Sequence, residues 1–188
     1  MTDTRIYIGL LHYPILGKDG NIIGTSITNL DIHDLSRTAM TYGIDKVFMI
    51  TPFDLQEELL NKIINHWTTG TGAKQNPLRA NALSLVKVKK NIDEVIENIQ
   101  SADGSMPLTI ATAARNIEGN MSFRSAREMI RETPKPVFIL FGTGWGIAKE
   151  IIKKADIILE PITGKTDYNH LSVRAASAII IDRLLGKA

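Results

Sequence analysis

Phe138-Ile139-Leu140-Phe141-Gly142-Thr143-Gly144-Trp145-Gly146, then Ile157-Ile158-Leu159-Glu160-Pro161-Ile162-Thr163-Gly164, then Asn169-His170-Leu171-Ser172-Val173-Arg174-Ala175-Ala176 are the segments that decide how this chain is read. Two apolar strands end in turns that bear glycine and proline, and small polar residues open the last helix. Continuous apolarity, as opposed to alternation, marks strands buried on both faces. Three such turns brought together can wrap an adenosine-sized ligand in backbone atoms.

Working outward, the same alternation runs from end to end. Strands are expected over 5–11, 46–51, 84–88, 108–112, 137–141 and 156–159. Helices are expected over 31–42, 53–67, 91–99, 122–131, 147–154 and 172–185. Asp31 is a candidate cap for the first helix and Gly43 a candidate stop. Leu55, Leu59, Ile63 and Trp67 recur four apart on one face of the second. Strand–helix alternation predicts an α/β fold, a mostly parallel sheet with helices on both faces, as one domain over residues 1–188. Residues 16–25 read as a hairpin-like excursion around the turn signal Asp19-Gly20-Asn21. Residues 69–81 are polar and glycine-bearing and read as a long loop that either orders around a partner or simply links.

The chain has 188 residues, 44% apolar and 22% charged, with a net charge of +2. That composition is of a folded protein and not a disordered one. No cysteine is present, which excludes disulfides, thiolate metal sites and a cysteine nucleophile. The histidines lack metal-ligand spacing, so no metal is expected. The apolar runs are too short to cross a membrane, a signal peptide is not expected from the opening residues, and cytoplasmic residence is the plain expectation. Basic residues concentrate at 86–90 and on the spacing Arg124, Arg127, Arg131.

Gly142, Gly144 and Gly146 invite two nucleotide-binding readings. A P-loop ends in Gly-Lys-Ser/Thr, whereas Gly146 is followed by Ile147-Ala148. A dinucleotide fingerprint needs G-x-G-x-x-G, one residue longer than the spacing here, although Glu160 could mimic its ribose-binding carboxylate. Glycines that merely permit a tight strand-to-helix turn are the plain alternative.

Taken together, Asn29-Leu30-Asp31-Ile32-His33-Asp34-Leu35-Ser36-Arg37, Leu140 to Ile147, and Glu160 to Ala176 resemble the three motifs of the SPOUT superfamily of S-adenosylmethionine-dependent RNA methyltransferases. The likeness is greatest to a bacterial group related to the tRNA (guanine-N1) methyltransferases, sometimes fused to such an enzyme. It extends over about 6–185. The resemblance implies a C-terminal trefoil knot that builds the cofactor pocket, a homodimer, and an RNA substrate, tRNA or rRNA. Many relatives carry a glutamate where this chain has Gly144, and no appended RNA-binding domain is apparent.

By that resemblance, S-adenosylmethionine would be held by Leu140, Phe141, Gly142, Gly144 and Gly146, by Leu159, Pro161 and Ile162, and by Asn169, His170 and Leu171. Thr112 and Ala113 would line its methionine side. Arg37, from a partner subunit, would hold an RNA phosphate or the nucleophilic atom. Its plain alternative is an exposed arginine pairing with Asp34. Asn29 would orient Arg37 or the target nucleotide, or else cap a turn. Ser172 would touch substrate, or else only cap its helix. Lys74, Arg79, Lys89, Lys90, Arg124, Arg127 and Arg131 would meet RNA phosphates. Trp67 and Trp145 are candidates for stacking on a base, Trp67 reading more readily as core. Two rivals stand beside methyl transfer: a non-catalytic S-adenosylmethionine- or RNA-binding protein of the same fold, and another nucleotide-dependent doubly wound enzyme.

Overall fold

The computed structural model describes residues 4–187. Its frame is a six-stranded sheet built from β1 (Ile6–Leu11), β4 (Lys46–Ile50), β5 (Val86–Lys89), β6 (Leu108–Ala111), β7 (Val137–Gly142) and β8 (Ile157–Ile158), in the order β5-β4-β1-β7-β6-β8. All five pairings are parallel. Every residue of β1 is buried, as is every residue of β7 except Gly142. Their unbroken apolar sequences suit the centre of a sheet covered on both sides.

Eight helices flank the sheet among the described residues: α1 (Asn29–Thr41), α2 (Asp54–Thr68), α3 (Thr71–Gln75), α4 (Pro77–Leu83), α5 (Ile92–Asp103), α6 (Phe123–Glu132), α7 (Lys149–Ile152) and α8 (Val173–Leu185). One face is packed by Ile32, Leu35, Leu60, Leu83, Ile130, Ile181 and Leu184, against Ile8, Leu10, Val47, Met49 and Ile139. The other carries Phe48, Phe138 and Leu140 beneath Val95, Ile99 and Ile152. The α/β class with helices on both faces is therefore as expected.

Two local expectations are corrected. The first helix is capped by Thr28, not Asp31. The Thr28 side chain accepts from the Asp31 N–H while the Asp31 carboxylate accepts from the Thr28 N–H, a reciprocal capping box. Gly43 follows this helix at φ +68°, as a stop should. Residues 69–81 are not a loop but mainly α3 and α4. Asn76 caps the latter by accepting from the Arg79 N–H at 3.0 Å, with Pro77 in its first turn. Asn-Pro looks like a chain breaker in sequence, yet proline is favoured at the start of a helix.

The excursion before α1 is a small antiparallel hairpin, β2 (Ile15–Leu16) with β3 (Ile22–Ile23). It leans on the glycine loop after β7. Leu16 N donates to Gly146 O at 2.8 Å, and Trp145 N donates to Leu16 O at 3.1 Å. Thr143 Oγ1 contacts Thr25 Oγ1 at 2.5 Å and donates to Leu11 O at 3.1 Å. The buried His12 ring lies 3.0 Å from the same threonine hydroxyl, Thr25 Oγ1. The amino-terminal hairpin thus holds a turn made more than a hundred residues later.

Candidate active site

A cleft of about 600 Å³ opens at the carboxyl ends of β6 and β7. It lies where α/β sheets place their ligands. Three stretches wall it: 112–117 after β6, 141–147 after β7, and residues 162 and 169–173 leading into α8, joined by Ala176 and Ile180 of that helix. Its volume is that of a cofactor site.

Each wall has a local cause. Gly142 passes so close to the returning chain that an added Cβ would lie 2.6 Å from Ile147 Cγ1 and 3.0 Å from its backbone nitrogen. Gly144 and Gly146 adopt φ +56° and +109°, values that side chains disfavour. A Cβ on Gly144 would also meet Ile15 of the hairpin at 3.0 Å. The third wall is irregular. From Pro161 to Leu171 no backbone–backbone hydrogen bond is made among the described residues, leaving peptide donors and acceptors for water or a ligand. Asn169 Nδ2 pins this wall to the first by donating to Ala114 O at 2.5 Å. Ser172 ends it by accepting from the Ala175 N–H at 3.3 Å, the cap of α8.

Of the residues singled out from sequence, Thr112, Ala113, Phe141, Gly142, Gly144, Gly146, Ile162, Asn169, His170, Leu171 and Ser172 come together around this cleft. Leu140, Leu159 and Pro161 do not line it. Leu140 points to the opposite sheet face, and its carbonyl already accepts from Thr112 N and Thr112 Oγ1. Leu159 is buried in the core, its N–H donating to Ala111 O. Glu160 accepts from the Phe123 N–H at 2.6 Å at the start of α6 and does not line the cleft.

Arg37 and Asn29 stand outside this cleft, both exposed on α1. Arg37 does not pair with Asp34. Asp34 lies 3.4 Å from Arg174 of α8, which also reaches Asp31 at 3.5 Å. The basic residues form no single patch. Lys90 is tied to Asp54 and Glu57, beside Lys89 at the end of β5. Arg127 donates to the carbonyls of Arg183 and Gly186, fastening α6 to α8. Arg124, Arg131 and Lys74 are exposed. Arg79 lies 4.5 Å over the Trp67 ring, which is half-buried against the core.

Sequence reading missed Arg115 as a lining residue, the one Asp, Glu, Lys or Arg of the cleft among the described residues. The rule that ligands sit beyond the carboxyl ends of parallel strands would have included it. It also left Thr143 and Ile147 out of the ligand-binding set, although both line the cleft.

A family model described as SAM-dependent RNA methyltransferase matches residues 5–186. A tRNA (guanine-N(1)-)-methyltransferase of Oleidesulfovibrio alaskensis is 44% identical over 184 residues, 98% of this chain and 43% of that protein. The chain thus spans less than half the length of that relative. An uncharacterized protein of Aquifex aeolicus is 42% identical over 187 residues, covering 100% of this chain and 91% of its own. Among solved structures, a probable methyltransferase from Bordetella pertussis superposes with a TM-score of 0.65 at 15% identity, over 96% of this chain and 94% of that one. The C-terminal knot follows from likeness to structures of this kind. The chain belongs to the S-adenosylmethionine-dependent RNA methyltransferases and has their SPOUT-type fold.

Proposed function

We propose that this protein transfers the methyl group of S-adenosylmethionine to a nucleotide of tRNA or rRNA, acting as one methyltransferase domain in a cytoplasmic homodimer. The observation that carries the reading is the cleft enclosed by three turns, one of which makes no backbone–backbone hydrogen bond from Pro161 to Leu171 among the described residues. Peptide groups there can read an adenine edge without charged side chains. Ile162 and Leu171 offer apolar surface for the ring, and the glycines at 142, 144 and 146 give room. Among the described residues that line the walls, Arg115 is the one Asp, Glu, Lys or Arg, and a site of so few charges suits a donor whose sulfonium loses its charge in the transition state. When bound, the cofactor supplies an electrophilic methyl carbon. The residues of the chain then align acceptor and donor.

Among the described residues, no helix is long and apolar enough to cross a membrane. The dimer is favoured by Arg37, which is exposed on α1 and absent from the cleft of its own subunit. In this reading it serves the cleft of a second copy, holding a phosphate or the nucleophilic atom, with Asn29 beside it. The guanine-N1 target is not carried over. More than half of the relative bearing that name lies outside the match, and a relative matched over nearly its whole length carries no activity name.

Calorimetry tests the cofactor. S-Adenosylhomocysteine is expected to bind at least about tenfold more tightly than NAD or ATP, a difference of about 1.4 kcal/mol, and a flat titration would defeat the assignment. Labelled methyl transfer to total RNA from a strain lacking the gene tests turnover. Cofactor binding without incorporation would favour a non-catalytic binder of the same fold.

A further inference from the structure

Resting on that reading, we propose that the cleft mouth is a platform for an unpaired RNA nucleotide, its base stacked on Trp145 and an adjoining phosphate held by Arg115. Trp145 is 57% exposed and Tyr168 74% exposed, both beside the cleft. His170 stands between them, 6.3 Å from the Trp145 ring at 75° and 5.4 Å from the Tyr168 ring at 67°. A single exposed aromatic needs no explanation. Here three rings gather at the rim of one cleft, joined by Leu171, itself 44% exposed.

The tryptophan is held ready. Its own N–H and the carbonyl of the next residue both bond to Leu16 of the hairpin, and glycines at positive φ flank it on either side. Its backbone is therefore ordered before any ligand arrives, so little conformational freedom remains to be lost on stacking.

Arg115 supplies the charge. It lines the same cleft, is exposed, and has no carboxylate within ion-pair distance among the described residues. Asn169, one residue before His170, bonds to Ala114, one residue before Arg115. The guanidinium and the rings thus belong to neighbouring stretches of the rim. Aromatic faces beside an unpaired arginine fit a base and its phosphate. A paired base offers neither of its faces, because its neighbours in the helix already cover them, so the occupant is a loop nucleotide or one turned out of the stack.

The test measures RNA binding, not methyl transfer, so it stands apart from turnover. The protein is saturated with S-adenosylhomocysteine and titrated into a fluorescent RNA hairpin with an unpaired loop, or into a fully paired RNA of the same stem sequence, with anisotropy as readout. The hairpin is expected to bind about tenfold more tightly. Trp145→Ala should lose about tenfold or more for the hairpin alone, and Trp145→Phe should retain most of the affinity and prove the fold intact. Arg115→Gln should weaken both RNAs and lower the salt slope by about one. Equal binding of hairpin and duplex, or Trp145→Ala binding like the wild type, would overturn the proposal. So would a Trp145→Ala variant whose main defect is loss of the dimer in sedimentation, since the rings would then face a second copy. If binding follows the expected pattern but no methyl is ever transferred, the platform stands and the enzyme reading falls.

Discussion

His12 directly follows β1 with its ring wholly buried, and its Nε2 has no hydrogen-bond partner among the described residues. Burial pushes its pKa down to about 4, although the Asp31 charge and a hydrogen bond to the Thr25 backbone pull the other way. The unfolded chain takes up this proton near pH 6.5, while the folded one resists it until about pH 4. The stabilisation from keeping the ring neutral is thus complete above pH 6.5 and is lost as pH falls, by about 3 kcal/mol. In urea unfolding, wild-type protein is expected to lose more stability between pH 7 and pH 4.5 than His12→Asn does. Equal losses would assign the acid sensitivity to other groups. Nothing in the sequence around His12 signals this burial, because its partners Thr25 and, through it, Thr143 come from different turns. The glycines were more legible. Their clustering after a strand pointed to a tight turn, although only coordinates reveal that Gly142 crowds Ile147 and Gly144 crowds Ile15.

Ser172 starts α8 by accepting from Ala175 N–H, and its removal is expected to cost about 1 kcal/mol of stability. If capping is its whole role, Ser172→Ala shifts the urea midpoint but leaves kcat for methyl transfer within about twofold. A fall in kcat of a hundredfold, about 2.7 kcal/mol, would place the hydroxyl at the reacting atoms. The elements themselves were largely readable. Strands β1 and β7 are apolar throughout, as is β4 after Lys46, and their burial on both faces follows from that. The hairpin was visible in Asp19-Gly20-Asn21. What failed was 69–81, where Thr-Gly-Thr-Gly reads as flexible but Gly72 is buried beneath Trp67, an added Cβ lying 2.7 Å from its ring. A glycine chosen for tertiary contact looks the same in sequence as one chosen for freedom. The cleft was legible for the opposite reason, since its turns lie at strand ends, while the side chains of Leu140 and Leu159 go into the two cores and do not line it.

At the scale of the molecule, the proposed exchange of Arg37 between subunits has a measurable signature. Arg37→Ala should abolish transfer while S-adenosylhomocysteine affinity survives. Gly144→Val, strained at φ +56° and pressed on Ile15, should lose cofactor affinity by at least about tenfold. Mixing the two inactive variants should restore about a quarter of the wild-type rate, because half of the dimers then hold one intact cleft facing one intact arginine. No recovery after subunit exchange would mean that Arg37 acts within its own subunit or not at all. A different consequence follows from the strand order. β1 pairs on one side with β4, some forty residues on, but on the other with β7, where Ile6 meets Val137. During synthesis the open flank of β1 must therefore wait until residues 137–142 have left the ribosome. A long delay before such distant pairing slows folding and leaves an apolar edge exposed to neighbours. The strand that closes this flank also carries the glycine turn of the cleft at its end, so one pairing completes both the midline of the sheet and the seat of the methyl donor.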